Sequence, residues 1–302
     1  MAGARMEIGT RMEVGVALPQ MAKGLDHDSF VSWCRGIDDG PFSSVSAGER
    51  ITYHNIEGLT ACAAAAALTD RVRVFANLLV MPWHATALVT KQLLTIDVLS
   101  NGRLEVGVGV GGRVQDYDAL GSPFDHRHQR LDDAVAEMLR LWAGGVAPDG
   151  MPVGPPPVQA RPRVLAGAMG PKALARAAVW ADGVSGFTVT ADADEADALF
   201  RGTEAAWDAA GRTEAPRLVS GFFFALGPDA EPRLRTFTSD YLEVFGTGIA
   251  HGVADVMTAF TPERVRTALD EIEATGCDEC ILVPATTDLR CLDLVADLVS
   301  SR

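Results

Sequence analysis

A single (β/α)8 barrel is the fold class that this sequence predicts. Short apolar runs, about eight in number, alternate with helical patterns from residue 12 to the end of the chain. The runs are continuously apolar rather than alternating, as expected for parallel strands that are covered on both faces. No Pro/Gly-rich linker divides the 302 residues, so one large barrel accommodates them better than two domains. An open, doubly wound sheet is the alternative.

The elements follow from local patterns taken in chain order. Apolar runs predict strands at 12–18, 43–47, 72–81, 104–109, 164–166, 184–187, 218–226 and 279–283. Helical spacing predicts helices at 29–38, 58–69, 85–99, 131–142, 172–181, 195–210, 233–245, 263–275 and 289–299. Asn101-Gly102 is typical of a turn, and Thr261 followed by Pro262 is typical of a helix start. The proline-rich stretch 144–157 is interpreted as a surface loop.

Composition excludes several classes of protein. The net charge of −14 argues against a nucleic-acid partner, because a duplex-binding surface is normally basic. The apolar stretches are too short to span a bilayer, so no membrane partner is expected. Residues 1–11 carry charges of both signs without an apolar core, which predicts a flexible extension of one domain covering 1–302. The five scattered cysteines, including Cys277 and Cys280, are interpreted as structural thiols of a cytoplasmic protein.

A glycine string follows the fourth predicted strand. Gly107, Gly109 and Gly112 match G-x-G-x-x-G, which marks a dinucleotide site only where a helix opens directly after it. Residues 114–124 contain Gly, Ser and Pro, so a loop is predicted there and that interpretation is rejected. We expect instead that the glycines let the backbone come close to a flat or anionic ligand. The alternative is a glycine-rich strand end without a ligand.

Barrel enzymes place their sites at the carboxyl ends of the strands, where this sequence carries polar residues and glycines. Glu49 and Arg50 follow the second strand, and Asn77 lies inside the third. The turn 167–170 follows the fifth strand and opens a helix, which suits a phosphate, although an ordinary βα turn would look the same. The histidines show no zinc-type spacing, so no metal site is expected.

Six segments, in the same order along the chain, resemble the bacterial luciferase-like family of flavin- and deazaflavin-dependent oxidoreductases. They are 73–82 (RVFANLLVMP), 94–103 (LTIDVLSNGR), 106–121, 130–142, 178–183 (AVWADG), and 261–263 with 276–278. The resemblance covers roughly residues 13–300. It implies a barrel that holds FMN or coenzyme F420 at its C-terminal face.

The resemblance also assigns cofactor-binding residues. It implies a cis peptide between Asn77 and Leu78 under the ring system of the cofactor. The remaining candidates are the glycines of the fourth strand and its loop, the turn after the fifth strand at the phosphate, and an arginine that reaches the phosphate in some members. These are Gly107, Gly109, Gly111, Gly167, Ala168, Met169, Gly170 and Arg130.

The candidate catalytic residues are Glu49, Arg50 and His84, which we expect at the ring and substrate end of the pocket. Glu49-Arg50 matches an acid that is followed by His in many members, so Arg50 removes a His-based proton role there. A fixed cation near the ring could stabilise the anionic reduced cofactor. The alternative is a rim salt bridge between Arg50 and Glu49 that contributes little to stability.

The function implied is a monooxygenase that uses reduced FMN and O2 on an unidentified small organic substrate. The alternatives are an F420-dependent oxidoreductase without oxygen chemistry, and a non-catalytic flavin-binding barrel. Gly112 stands where a sugar-phosphate-oxidising F420 branch carries a catalytic Glu, which disfavours that branch. The small residues at 60–67 and the resemblance predict a homodimer formed through the second and third helices. A separate flavin reductase is the further partner that a monooxygenase implies.

Overall fold

Eight parallel strands close into a barrel in sequence order within residues 11–302, which the computed structural model describes. The strands are β1 Glu13–Ala17, β2 Ser44–Ala47, β3 Arg73–Val80, β4 Leu104–Gly109, β5 Arg163–Ala166, β6 Gly183–Ser185, β7 Arg217–Phe224 and β8 Glu279–Pro284. β1 pairs with both β2 and β8, so the sheet closes on itself. The predicted barrel is confirmed, and the open-sheet alternative is wrong. Most of the predicted N-terminal extension, residues 1–10, lies outside the described residues.

At least one helix follows every strand. The helices are α1 His27–Asp39, α2 Gly58–Leu68, α3 Thr86–Leu99, α4 Val114–Ala119, α5 Arg127–Trp142, α6 Pro171–Trp180, α7 Ala193–Ala209, α8 Ala230–Leu242, α9 Thr247–Asp255, α10 Pro262–Ala274 and α11 Leu289–Ser300. The predicted cap of α10 is present, because Thr261 Oγ1 accepts a hydrogen bond from the Arg264 N–H at 3.3 Å. Asn101 and Gly102 both have positive φ, as the predicted turn requires. No helix of the described part is long and apolar enough to cross a membrane.

Two helices were not expected from the sequence. α4 lies inside the stretch predicted as a loop, so a helix does open directly after the glycine string. Its six residues close their turn with the Leu120 N–H bonded to the Asp116 carbonyl. α9 follows the glycine at 246, which has a φ of 108° and separates it from α8. Both helices are short, and the glycines near their ends favour loops, so the sequence pattern did not indicate a helix.

The barrel lumen is built in layers, because inward positions recur at every second residue of a strand. Along β3 these positions are Arg73, Phe75 and Asn77. The middle layer is an apolar cluster of Ala17, Phe75, Leu165, Val219 and Ile281. Charged residues therefore lie at the amino end of the lumen, apolar residues in the middle and mixed residues at the carboxyl end.

The amino end of the lumen is closed by an ion-pair network. Arg73 lies 2.7 Å from Glu13 and 2.8 Å from Glu279. Arg217 lies 2.5 Å from Glu279 and 3.1 Å from Glu13, while Glu105 lies 3.3 Å from both arginines. Ser43 and Ser44 donate hydrogen bonds to Glu279 Oε1 at 2.5 and 2.6 Å. Every charge of this layer thus has a partner of opposite charge.

The small residues of α2 face mainly into their own molecule. Ala61, Cys62, Ala65 and Ala66 are buried, whereas Thr60 and Ala67 are exposed. Close packing of α2 on its own barrel therefore accounts for its composition. The predicted homodimer stays a prediction, for which the exposed Leu88, Val98 and Leu99 of α3 provide an apolar surface.

Candidate active site

The carboxyl ends of the strands surround a cavity of about 340 Å³. Its base is formed by strand residues, including Ala17, Asn77, Ile281 and Val283. Its rim comes from the loops after β2, β3, β4 and β6 and from α8; it includes Glu49, Arg50, Trp83, Arg113, Asp116, Phe187 and Tyr241. A cavity of this size, apolar at its base and polar at a few rim positions, is suited to a small organic molecule or a cofactor ring.

The glycines of β4 and β5 make room for two side chains of β3. A Cβ on Gly107 would lie 2.9 Å from Asn77 Oδ1, and one on Gly109 would lie 3.1 Å from Leu78 Cδ1. A Cβ on Gly167 would also collide with Leu78. These glycines are not among the residues that line the cavity, and their contact with a flat ligand stays a prediction.

The predicted cis peptide between Asn77 and Leu78 is present, and both residues line the cavity. Asn77 Oδ1 accepts a hydrogen bond from Ser185 Oγ at 2.8 Å, which fixes the amide across the lumen. Gly111 also lines the cavity, and its φ of 60° is a conformation that favours glycine. Asn77, Leu78 and Gly111 are therefore the predicted cofactor residues that meet at the cavity.

Glu49 and His84 form a buried pair beside the cavity. Glu49 is 2% exposed at its side chain, and it accepts hydrogen bonds from the Val80 N–H at 2.7 Å and from His84 Nε2 at 2.8 Å. Trp83 Nε1 lies 3.0 Å from the same His84 nitrogen. That nitrogen donates to Glu49 in one tautomer of the ring and accepts from Trp83 in the other. His84 itself is not among the lining residues.

Arg50 lies on the rim between two tyrosines. Its guanidinium carbon is 4.1 Å from the ring centre of Tyr53 and 4.3 Å from that of Tyr241. The residue is 5% exposed, and no side chain or carbonyl among residues 11–302 accepts a hydrogen bond from its Nε or Nη1. Burial lowers the pKa of the guanidinium, although nearby tyrosines and Asp116 oppose that effect. The expected alternative of a salt bridge with Glu49 is not formed, because Glu49 pairs with His84.

Arg113 is a rim residue that the sequence analysis missed. Its Nε donates to Asp116 at 3.0 Å and its Nη2 to Thr52 Oγ1 at 3.1 Å, while its buried Nη1 has no acceptor among the described residues. Asp116 also accepts from the N–H and the hydroxyl of Thr52. Burial raises the pKa of Asp116, but these hydrogen bonds outweigh burial and hold the pKa below its usual value. Arg113 follows two glycines directly in the sequence, and that position was the signal that could have identified it.

The turn after β5 and Arg130 lie outside the cavity lining. Gly170 has a φ of 78° and caps α6, and the side chain of Met169 is 85% exposed. Arg130 donates to the carbonyls of Pro82 and Pro123 and, at 2.7 Å, to Ser122 Oγ. Its guanidinium therefore holds the loop after β3 in place, and its contact with a cofactor phosphate stays a prediction.

The cysteines show no sign of redox chemistry within the described chain. All five are buried and free, and burial raises the pKa of Cys277 to about 12. Residues 11–302 contain no group of three or more His, Cys, Asp or Glu that could hold a metal ion.

A parallel eight-stranded barrel with its cavity at the carboxyl end defines a class of barrel enzymes. Within that class, the model of the luciferase-like monooxygenase family matches residues 6–301, and the chain belongs to this family.

Curated relatives are similar over part of the chain. The chain is 35% identical over 99 residues to pyrimidine monooxygenase RutA of Pantoea ananatis, a match that covers 30% of this chain and 26% of that protein. It is 34% identical over 89 residues to the FMNH2-dependent dimethylsulfone monooxygenase of Pseudomonas putida, covering 28% and 24%. The chain thus matches about a quarter of the length of these relatives.

A solved structure agrees over nearly the whole fold. The F420-dependent secondary alcohol dehydrogenase in complex with an F420-acetone adduct has a TM-score of 0.80 at 16% identity, and the match covers 97% of this chain and 99% of that one. At this identity, the likeness concerns the fold.

Proposed function

We propose that this protein is a monooxygenase that binds reduced FMN and uses O2 to oxidise a small organic substrate. The observation that supports it best is the cavity itself. Its lining includes a buried polar atom, Gln20 Oε1, that has no hydrogen-bond partner among the described residues. A planar ring with a polar edge would satisfy such an atom while its faces rest on the apolar base.

The proposed cofactor supplies the chemistry with O2, and the residues of the chain position it. Asn77 and Leu78 would lie against the ring, with Asn77 held by Ser185. The turn 167–170 would bind the phosphate at the start of α6, where N–H groups and the helix dipole favour an anion. Glu49 and His84, which are joined by a hydrogen bond, would act as the general acid and base beside the ring.

The cofactor is tested by titrating the purified protein, without oxygen, with reduced FMN and with reduced F420. We expect reduced FMN to bind with the higher affinity, because a curated relative uses FMNH2. Tighter binding of F420 would reassign the protein to hydride transfer without O2. Failure of both to bind would leave a barrel without flavin chemistry.

The phosphate position is tested with Gly170→Asp. The new carboxylate would stand at the start of α6, and we expect it to weaken FMN by about tenfold or more and riboflavin much less. Gly211→Asp is the matched control, because both glycines have positive φ and open space around the added Cβ. Equal loss of FMN and riboflavin, measured by fluorescence quenching, would place the phosphate elsewhere.

The partners are proposals as well. A monooxygenase of this type needs a supply of reduced flavin, so a separate flavin reductase is expected. A homodimer through α2 and α3 is tested by sedimentation at micromolar concentration, and a monomer alone would contradict it.

A further inference from the structure

Two arginines at the rim of the cavity keep hydrogen-bond donors free. Arg50 has no described acceptor for Nε or Nη1, and Arg113 has none for Nη1. Both residues line the same cavity. A buried hydrogen-bond donor without an acceptor costs free energy, and a ligand in the cavity could bring the missing acceptor.

The geometry of Arg50 is fixed without using its donors. The rings of Tyr53 and Tyr241 lie 4.1 and 4.3 Å from the guanidinium carbon, a cation–π arrangement. This contact holds the plane of the fork and leaves its N–H groups available. A pre-oriented fork is the arrangement that binds an oxyanion best.

Arg113 is fixed in a different way, with the same result. Asp116 and Thr52 accept from its Nε and Nη2 at 3.0 to 3.2 Å. These two contacts orient the guanidinium, and Nη1 is the nitrogen that remains without an acceptor. Since Asp116 is already occupied by Thr52 and Arg113, it does not neutralise Arg50 through a hydrogen bond.

The wall beside Arg50 is aromatic. Phe187 contacts Phe223 with ring centres 4.7 Å apart, and Phe223 contacts Tyr241 at 5.2 Å, both edge to face. All three line the cavity. A ligand that reaches Arg50 therefore passes along an apolar, aromatic surface.

We propose that Arg50 and Arg113 bind the anionic group, a carboxylate or a sulfonate, of an apolar organic acid that is the substrate of this protein. The proposal rests on the proposed function in one respect, that the substrate enters the cavity that also takes the cofactor ring. A phosphate of the cofactor is the other source of an anion. It is disfavoured because the turn 167–170 follows β5, whereas Arg50 follows β2 and is held by loop and α8 residues.

The test measures binding of benzenesulfonate, benzoate and the neutral benzamide by calorimetry. The variants are Arg50→Gln, Arg50→Lys and Arg113→Lys, with Arg140→Gln as the control. Arg140 pairs with Glu137 on α5 and has the same charge outside the cavity. FMN and riboflavin are titrated into the same variants, and thermal unfolding verifies that each one is folded.

We expect the two anions to bind the wild type and Arg140→Gln more tightly than benzamide does. Their affinity should fall about tenfold or more in Arg50→Gln, since hydrogen bonds to charged groups have this magnitude. Arg50→Lys should recover part of it, because the charge stays and the fork is lost. The preference for FMN over riboflavin should persist in every variant.

Three results would overturn the proposal. They are unchanged anion affinity in folded Arg50→Gln, benzamide binding as tight as benzoate, and loss of the FMN preference in Arg50→Gln, which would assign the arginines to the cofactor phosphate. Failure of FMN to bind the wild type would defeat the proposed function, while the anion measurement would still decide the role of the arginines.

Discussion

The two ends of the barrel lumen use the same residue types in opposite ways. At the amino end, Arg73 and Arg217 each contact three carboxylates, and two serine hydroxyls complete the shell of Glu279. At the carboxyl end, Arg50 lies between two aromatic faces, and its buried Nε and Nη1 have no hydrogen-bond acceptor among residues 11–302. The distance between the layers is only a few residues along each strand.

The difference separates what holds the barrel together from what the barrel can bind. A charge that lies against opposite charges within the protein has little left to offer a ligand, whereas a charge without such an ion pair lowers stability until a ligand arrives. Arg73 and Arg217, at the amino end of the lumen, therefore stabilise the barrel. Arg50, just beyond the carboxyl end of β2, is a binding group. The predictions below test that division.

The largest effect is expected at the amino end, in Arg217→Met. Its removal leaves Glu105 and Glu279 buried with fewer partners, and we expect the free energy of unfolding to fall by about 3 to 5 kcal/mol. Urea unfolding measures it, with Arg140→Met as the exposed control that should change it by less than about 1 kcal/mol. An equally small change in both variants would remove the contrast between the two ends.

The same variant has a pH dependence of known sign. Burial raises the pKa of Glu105 above its ordinary value of 4.5, and Arg217 opposes that rise. In the pH window between the ordinary and the raised pKa the folded state binds more protons, so stability falls as pH increases through it. Loss of Arg217 raises the upper limit of this window. We therefore expect the defect of Arg217→Met to shrink as the pH is lowered from neutral towards 5, and a defect that grows on acidification would contradict this.

At the carboxyl end, Arg50→Gln should change stability little and function much. It removes an unpaired buried charge but also the contacts with Tyr53 and Tyr241, so the two effects offset each other to within about 1 kcal/mol. Turnover should be lost while FMN affinity is kept. A destabilisation like that of Arg217→Met, or unchanged turnover, would show that Arg50 is a structural residue after all.

The smallest effects compare two serine hydroxyls. Ser44 donates to the buried carboxylate of Glu279 at 2.6 Å, and Ser185 donates to the neutral amide of Asn77 at 2.8 Å. Because hydrogen bonds to charged groups are the stronger, Ser44→Ala should cost about 2 kcal/mol and Ser185→Ala about 1. The FMN affinity of each variant relative to the wild type gives a second measurement, since only Ser185→Ala should alter it.

Much of the fold could be predicted because strands in a parallel barrel are apolar on both faces and leave a plain signal. The eight strands were predicted to within two residues of their ends, and Thr261 and Asn101-Gly102 marked real helix and turn boundaries. α4 was hidden because its six residues lie between glycine signals. Local sequence patterns indicate such boundaries, but they do not indicate contacts between residues that are far apart in the sequence.

The site was harder to predict for that reason. Glu49, Arg50 and Asn77 were placed at one rim because the carboxyl ends of parallel strands meet there. The partner of Arg50 on α8, Tyr241, is nearly two hundred residues away along the chain, and no spacing rule connects them. The glycines at 107 and 109 are predicted to contact a ligand, and the structure shows in addition that they leave room for the side chains of Asn77 and Leu78 on the adjacent strand. A glycine indicates that another group comes close to the backbone. The sequence does not show whether that group belongs to a ligand or to a neighbouring strand.

The unpaired guanidinium of Arg50 also bears on any attempt to make this protein more heat-resistant. A selection that scores only resistance to unfolding gains nothing from keeping that cation, and it will accept neutral residues at position 50. Libraries screened for folding alone would therefore become enriched in stable barrels that no longer bind their substrate. Position 50 has to be held constant during such engineering, or the screen has to be run in the presence of an organic acid that rewards the arginine.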